Sequence, residues 1–242
     1  MRELHPGSEL AGYRIEAVER EDEGAAVVLA RDPLDERAVT LHIAGDPPGT
    51  LSTTRFLERA RRLGAVEHPH LLGVYGARTL EGRAVAVAQA PPGRRLDQLI
   101  ADGPLEAATA VRIVRQVASA VDALEDVGAE PPPLTAQRIW VDGAGDAHLD
   151  GLDGCGQVGI PAAPSSSAAL ADLLGDMTRR VPPQLSPVLT RAREGAYLSA
   201  GQLAGDLRKA EARSAARRRE LATTVALIAT VIAMAILLLT LV

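Results

Sequence analysis

The sequence contains almost no lysine and no asparagine at all. Lys209 is the only lysine among 26 basic residues in the 242-residue chain. Chemistry that needs a lysine before residue 209, or an asparagine anywhere, is therefore excluded. Cys155 is the only cysteine, which excludes an intrachain disulfide framework. A lone thiol with no partner in the sequence also gives no reason to expect a redox or nucleophilic role.

Aromatic residues and positive charge are also scarce. Aromatics make up 2% of the chain and the formal net charge is −5. Proteins that bind single-stranded nucleic acid stack bases on aromatic side chains and attract the backbone with positive charge. We therefore expect no nucleic-acid partner, and we expect a core built from Ala, Leu and Val. The first ten residues contain no apolar run and do not resemble a signal peptide.

One long apolar run ends the sequence. The 22 residues from Leu221 to Val242 contain no charge, Pro or Gly. As a helix they would measure about 33 Å, which matches a bilayer core of roughly 30 Å. The segment is therefore predicted to cross a membrane once. No Pro or Gly occurs between Asp206 and Val242, so a continuous helix is expected there.

The residues before the apolar run are basic. Residues 207–220 hold six basic and two acidic side chains, a net charge of +4. Basic flanks favour the cytoplasmic side of a membrane, so we expect a cytoplasmic soluble part and a C-terminus at or beyond the outer face. The arginines either contact anionic lipid headgroups or form a solvated helix face. They are Arg213, Arg217, Arg218 and Arg219.

Small residues recur at four-residue spacing in the apolar run, at Ala222, Ala226 and Thr230 and again at Ala229 and Ala233. Such spacing permits close packing of two membrane helices and hence a homodimer. The chain is rich in alanine, so the same spacing also arises by chance.

The hydrophobic pattern predicts strands in the first half of the chain and helices in the second. Strands are expected at Tyr13–Val18, Ala25–Ala30, Ala38–Ala44, Leu71–Tyr75, Ala84–Ala88, Ile139–Val141 and Ala147–Leu149. Helices are expected at Thr53–Val66, Leu96–Ala101, Leu105–Val127, Ala168–Met177, Gln184–Arg193 and from Ser199 onward. The segment Gly159–Ser167, rich in Pro, Ala and Ser, is expected to be a linker.

Six short motifs resemble bacterial serine/threonine protein kinases, in the same order and at similar spacing. They are AGYRI at Ala11–Ile15, VVLARD at Val27–Asp32, RAVTLHI at Arg37–Ile43, RFLERAR at Arg55–Arg61, HPHLLGVY at His68–Tyr75 and SAGQLA at Ser199–Ala204. The resemblance implies an α+β fold of two lobes, truncated, with a C-terminal transmembrane helix. We expect an N-lobe of strands and one helix at 9–90, a shortened helical C-lobe at 91–208, a basic juxtamembrane helix at 209–220 and the span at 221–242.

The positions that hold the phosphates of ATP in that family carry other residues here. The three glycines of the phosphate-binding loop align with Arg20, Asp22 and Ala25, in an acidic segment that would repel a triphosphate. The strand lysine aligns with His42 and its partner glutamate with Arg59. A histidine and an arginine cannot form that ion pair.

The catalytic positions of the family are also altered. The base aligns with Pro133, the phosphate-contacting lysine with Thr135 and the metal-binding asparagine with Arg138. The metal-binding aspartate aligns with Gly151. Asp150 and Asp153 flank that position. Two interpretations are open: one of them binds a metal ion after a small shift in register, or both are turn residues.

These differences lead to a functional expectation. Asp153 and Ala168 are separated by only 14 residues, too few for the family's activation loop. We therefore expect a pseudokinase: not an enzyme, without cofactor or metal, acting as a scaffold or regulator through an unidentified protein partner. Cell-envelope or kinase signalling is implied by the resemblance alone. The alternative is a nucleotide-binding protein or Ser/Thr kinase with a rearranged site.

Three further groups of residues raise functional possibilities. His68 and His70 have the spacing of a metal pair, but the resemblance places them in a loop after the first helix. Ser52–Thr54 and Ser165–Ser167 are open to phosphorylation by another kinase or are ordinary cap and loop residues.

Overall fold

The computed structural model describes residues 4–22, 25–152, 165–214, 216, 223 and 224. The N-terminal part is a six-stranded antiparallel sheet in the order β1-β2-β3-β4-β6-β5. The strands are β1 Glu9–Leu10, β2 Tyr13–Asp22, β3 Ala25–Arg31, β4 Ala38–Ile43, β5 Val74–Leu80 and β6 Arg83–Gln89. The predicted strand-rich first half is therefore confirmed.

The two faces of this sheet belong to different apolar clusters. Side chains alternate across a strand, and β3 shows this alternation in its burial. One face buries Ile15, Val28, Leu41, Val85 and Val87 in a cluster of its own. The other face carries Ala84, Ala86 and Ala88 and packs towards the main cluster, which extends into the helical part.

A single helix, α1 Leu51–Leu63, lies against the second face. Thr50 caps it by accepting a hydrogen bond from the Thr53 backbone N–H. Phe56, Ala60 and Leu63 recur at helical spacing and are buried in the main cluster. This packing fixes the position of α1, and with it Arg59, relative to the sheet.

The second half of the described chain is mainly helical. Its central helix is α3 Ala107–Asp126, in which nine side chains are buried. The other helices are α2 Leu96–Asp102, α4 Ser166–Met177, α5 Ser186–Arg193 and helical residues 200–214; α4 packs against α3, and α5 against α4. A small sheet of β7 Arg94–Arg95, β8 Ile139–Val141 and β9 Ala147–Leu149 lies at the junction, with a 3-10 turn at Ala136–Arg138 before β8.

One predicted strand was wrong. Residues Leu71–Tyr75 were expected to form a strand, but β5 begins only at Val74. The reason is a competing pairing, since Leu71 bridges Leu149 and the Leu72 N–H donates to the Leu149 carbonyl oxygen. The short strands β1 and β7 were not predicted, because two residues leave no periodic signal. The predicted linker extends too far, because α4 already begins at Ser166.

Within the described residues, no helix is long and apolar enough to cross a membrane. The predicted span at 221–242 lies outside the described residues except for Thr223 and Thr224. Arg213 is exposed, whereas Arg217, Arg218 and Arg219 lie outside the described residues. The membrane segment, the lipid contact and the lobe boundaries stay predictions.

Candidate functional site

A row of side chains crosses the helical-side face of the large sheet. Arg20 pairs with Val27, Val27 pairs with His42, and His42 pairs with Ala86. Residues paired across antiparallel strands share a face. Arg20 and His42 therefore face the same side, with Val27 between them. His42 is only 3% exposed, which is unusual for an ionisable side chain.

A carboxylate from the helical part reaches this row. Asp150 follows β9 directly, and its Oδ2 lies 3.9 Å from His42 Nε2. The Asp150 Oδ1 accepts a hydrogen bond of 2.9 Å from the Leu152 N–H, and the Asp150 N–H donates to the Arg138 carbonyl oxygen at 2.8 Å. These bonds hold the carboxylate in the cleft between the sheet and the helical part.

Two arginines hold the chain immediately after Asp150. Arg59 Nη2 on α1 lies 3.4 Å from the Gly151 carbonyl oxygen, and Arg138 Nη1 lies 3.2 Å from the Leu152 carbonyl oxygen. Among the described residues, Arg59 Nε and His42 Nδ1 are buried without a hydrogen-bond partner. Buried polar atoms without partners are rare in folded proteins and costly, so these two mark the cleft as a candidate ligand site.

The cleft keeps His42 neutral. Burial lowers the pKa of His42; the Asp150 carboxylate opposes that shift, while the Arg20 and Arg138 guanidinium groups add to it. At neutral pH the positive charge of the cleft therefore comes from arginines and not from His42. Arg20, Arg59 and Arg138 face the cleft or its wall, and Asp150 supplies the carboxylate.

Protein stability is expected to fall as the pH drops below about 6.5, the ordinary pKa of histidine. Because the pKa of His42 is lowered in the folded protein, the unfolded chain binds this proton at a higher pH than the folded protein does. Each such histidine contributes a slope of up to about 1.4 kcal/mol per pH unit, until the pH reaches its folded pKa. His68 contributes in the same direction, since burial also lowers its pKa. Urea unfolding between pH 5 and pH 8 measures this slope.

His42→Leu is expected to flatten the slope. An unaltered slope in His42→Leu would contradict a buried neutral His42.

The structure brings together some of the predicted positions and separates others. Arg20, His42, Arg59, Arg138 and Gly151 all lie at the cleft. Ala25 pairs with Asp22 at the far end of β2 and β3. Pro133 and Thr135 form a turn before the 3-10 turn, and Thr135 is exposed. Asp153 and Cys155 lie outside the described residues.

The other predicted candidates have structural partners. His68 Nε2 lies 2.9 Å from Ser119 Oγ, and His70 Nδ1 lies 3.0 Å from the Ala147 carbonyl oxygen. Thr53 is buried and bonds to the Pro47 and Thr50 carbonyl oxygens. Ser165 caps α4. Phosphorylation at these serines and threonines stays a prediction.

Mg²⁺, the metal ion that the fold implies, does not fit the described side chains of the cleft. Mg²⁺ takes oxygen ligands, and the cleft offers the Asp150 carboxylate beside the cationic Arg138. Among the described residues, no group of three or more His, Cys, Asp or Glu side chains could hold a metal ion. The charge of a bound phosphate would be balanced here by guanidinium groups.

Solved structures that share this arrangement of lobes include kinase domains. The kinase domain of PknI from Mycobacterium tuberculosis superposes with a TM-score of 0.72 at 19% sequence identity, covering 86% of this chain and all of that one. A second structure of the same domain gives 0.72 at 18% identity. The fold is that of a protein kinase. It has a curled β-sheet N-lobe and a helical C-lobe, so the two-lobe prediction is confirmed.

Sequence comparison points to the same group of proteins. The serine/threonine-protein kinase PknE of M. tuberculosis is 28% identical over 153 residues, which cover 61% of this chain and 26% of PknE. The serine/threonine-protein kinase PknJ of Mycobacterium bovis is 30% identical over 122 residues, covering 50% of this chain and 21% of PknJ. The kinase-like chain thus matches about a quarter of the length of these curated relatives. No family model matches it.

These relatives correct one prediction. The kinase-like chain was expected not to be an enzyme, because its phosphate-binding and catalytic positions differ from the family pattern. That prediction is contradicted: the relatives are named serine/threonine-protein kinases and the structural neighbours are kinase domains, which point to an enzyme. The differences at single positions do not outweigh the similarity of the fold and of the aligned residues.

Proposed function

We propose that this protein binds a nucleoside triphosphate in the cleft between its lobes through arginines, without a divalent metal ion. The observation that carries the proposal is the arrangement of charged side chains around the buried His42, where Arg20 shares its sheet face and Asp150 Oδ2 lies 3.9 Å from its Nε2. Within the described chain these are one carboxylate, Asp150, and two guanidinium groups, Arg20 and Arg138. Arg59 adds a third guanidinium group, with a buried unpartnered Nε.

Guanidinium groups suit this task. They stay charged at every physiological pH, and their planar arrangement of N–H donors matches phosphate oxygens. Lysine and Mg²⁺, which hold the phosphates in the family, are replaced by cations on three different elements. Arg20 comes from β2, Arg59 from α1 and Arg138 from the turn before β8. A ligand that contacted all three arginines would draw the walls of the cleft together around the phosphates of the ligand.

The names of the relatives extend the proposal to phosphoryl transfer onto a protein serine or threonine. In that reaction the bond from the γ-phosphorus to the β–γ bridging oxygen breaks, and a bond to the hydroxyl oxygen forms. The hydroxyl proton must leave, and Asp150 is the cleft carboxylate that can accept it. The arginines would stabilise the charge that develops on the phosphoryl oxygens.

The cellular setting is also part of the proposal. The apolar run 221–242 and the basic segment 207–220 support a single span with the kinase-like domain at the cytoplasmic face. There the domain would act as a scaffold or regulator for a protein partner, in cell-envelope or kinase signalling. Nucleotide binding is compatible with that role.

ATP is expected to raise the unfolding temperature of the full chain in non-ionic detergent, in the presence of EDTA. At 100 times its Kd, ATP should add about 2.7 kcal/mol to the free energy of unfolding. Arg20→Gln should weaken this stabilisation. The matched control is Arg14→Gln on the same strand, because Arg14 is exposed and pairs with Glu36 on the surface.

Two outcomes would contradict the proposal. One is the absence of any shift at millimolar ATP. The other is a shift that requires Mg²⁺, since this would mean that a metal ion binds the phosphates despite the poor donor set of the described cleft.

A further inference from the structure

A second cationic site lies away from the cleft, on the helical lobe. It is a groove of about 530 Å³ between α3 and the helix through residues 200–214. We call it the α3 groove, and its lining includes Arg112, Arg115, Ser119, Gly201, Gly205 and Arg208. None of the cleft residues lines it. Its volume falls within the range of ligand-binding pockets, roughly 300–1,000 Å³.

The α3 groove is lined by positive charge. Arg112 and Arg115 are three residues apart on α3 and so lie on one side of that helix, while Arg208 comes from the facing helix. Among the described lining residues there are three guanidinium groups and no carboxylate. Asp146 lies 4.0 Å from Arg112 Nη1 and accepts a hydrogen bond from Gln116 Nε2, and Glu211 interacts with Arg115. The side chains that line the groove are therefore cationic, and these two carboxylates adjoin the lining without being part of it.

The α3 groove also offers a directed hydroxyl donor. The His70 backbone N–H can only donate, so His68 Nδ1, which lies 3.2 Å away, accepts. The proton of neutral His68 is then on Nε2, which donates to Ser119 Oγ at 2.9 Å. Because its oxygen already accepts this bond, Ser119 has its own proton available for an acceptor in the groove.

Small residues on the helix through residues 200–214 leave the α3 groove open. A side chain at Gly205 would meet nothing within 4 Å, so the groove is open above it. Gly201 cannot carry a side chain so easily, because its Cβ would press on the Asp122 carboxylate that accepts from the Gly201 N–H. The Asp122 bond thereby fixes the start of this helix against α3.

We propose that the α3 groove is a binding site for a phosphate monoester carried by a phosphoserine or phosphothreonine residue of a peptide. Three guanidinium groups and one hydroxyl donor match the oxygens of a dianionic phosphate. The open groove leaves room for the flanking residues of a peptide.

A lipid headgroup has the same phosphate chemistry but is less favoured by position. The sequence predicts a continuous helix from Asp206, in which the 13 positions from Arg208 to Leu221 span about 20 Å. That distance exceeds the screening length of about 8 Å at physiological salt. The groove is therefore expected to lie beyond the reach of the membrane surface.

The test uses the full chain in non-ionic detergent and a fluorescent pentapeptide with one phosphoserine between alanines. Fluorescence anisotropy should show binding of this peptide and much weaker binding of its unphosphorylated twin. The double variant Arg115→Gln/Arg208→Gln should weaken binding about tenfold or more. The control Arg20→Gln alters the cleft alone and should leave the affinity for the peptide unchanged.

A second variant separates binding from folding. Gly205→Leu fills the groove without changing its charge, and its unfolding temperature should not fall, since its helical position favours leucine over glycine. Its affinity for the phosphopeptide should fall strongly. Equal binding of both peptides, or an affinity unaffected by either groove variant, would overturn the proposal. The chain could instead bind vesicles that contain anionic lipid, through Arg115 and Arg208, and not bind the phosphopeptide. That result would overturn the proposal in favour of a lipid site.

Discussion

Asp150→Asn is expected to lower phosphoryl transfer by about 10²- to 10⁴-fold, the usual contribution of a general base. The asparagine keeps an oxygen that can accept the Leu152 N–H, as Asp150 Oδ1 does, so the loop after β9 should hold its shape. What it loses is the ability to take a proton from a hydroxyl group. The measurement is transfer of labelled γ-phosphoryl from ATP to casein and to the chain itself.

Binding of ATP provides the internal control for this variant. Removing a negative charge beside the phosphates should leave ATP affinity unchanged or increase it. Asp172→Asn, at an exposed carboxylate on α4 that pairs with Arg193, should leave the activity unchanged. If Asp150→Asn keeps full activity, or loses ATP binding together with activity, Asp150 is not the base.

Gly93→Ala is expected to destabilise the protein by about 4 kcal/mol or more, a loss typical of severe backbone conflict. Gly93 has a φ of +71°, and an added Cβ would overlap the Val141 carbonyl oxygen and lie 2.7 Å from the Asp142 Cα. Both contacts are backbone, so neither can move without separating β7 from β8. Since β8 and β9 carry the chain to Asp150, the cleft would be displaced as well.

Gly82→Ala is the matched comparison for this change. Gly82 has nearly the same φ, +75°, but its Cβ would meet nothing within 4 Å. Gly82→Ala should lower the free energy of unfolding by only about 1–2 kcal/mol, the penalty for a residue with a side chain in the left-handed backbone conformation. Urea unfolding of the two variants measures the difference. Equal destabilisation would mean that backbone conformation alone, and not the contact with Val141, requires glycine at position 93.

The fold was predictable to the extent that its signals are local. Short apolar runs located β3 and β4, and β8 and β9 have the predicted bounds. The helix predicted at Leu105–Val127 agrees closely with α3. The start of β5 was not predictable, because the partner of Leu71 and Leu72 is Leu149, more than 70 residues away. Local pattern carries no information about such pairings.

The candidate site was predictable in its residues but not in its charge balance. Alignment to kinase motifs located His42, Arg59 and Arg138, and each was interpreted as the loss of a family residue. The sequence did not show that Arg20 lies in register with His42, or that Asp150 faces it, because both depend on sheet register and on the turn after β9. The α3 groove had a weak signal, arginines three apart on α3, but its facing helix is more than 80 residues away.

Isothermal titration of the full chain in detergent with ATP, in buffer containing EDTA, tests the central claim most directly. The account predicts saturable binding without a metal ion, and weaker binding in both Arg20→Gln and Arg138→Gln. It also predicts the same affinity after Mg²⁺ is added in place of EDTA, apart from the effect of Mg²⁺ on ATP itself. Absence of binding in EDTA, or binding unaffected by both arginine variants, would contradict it.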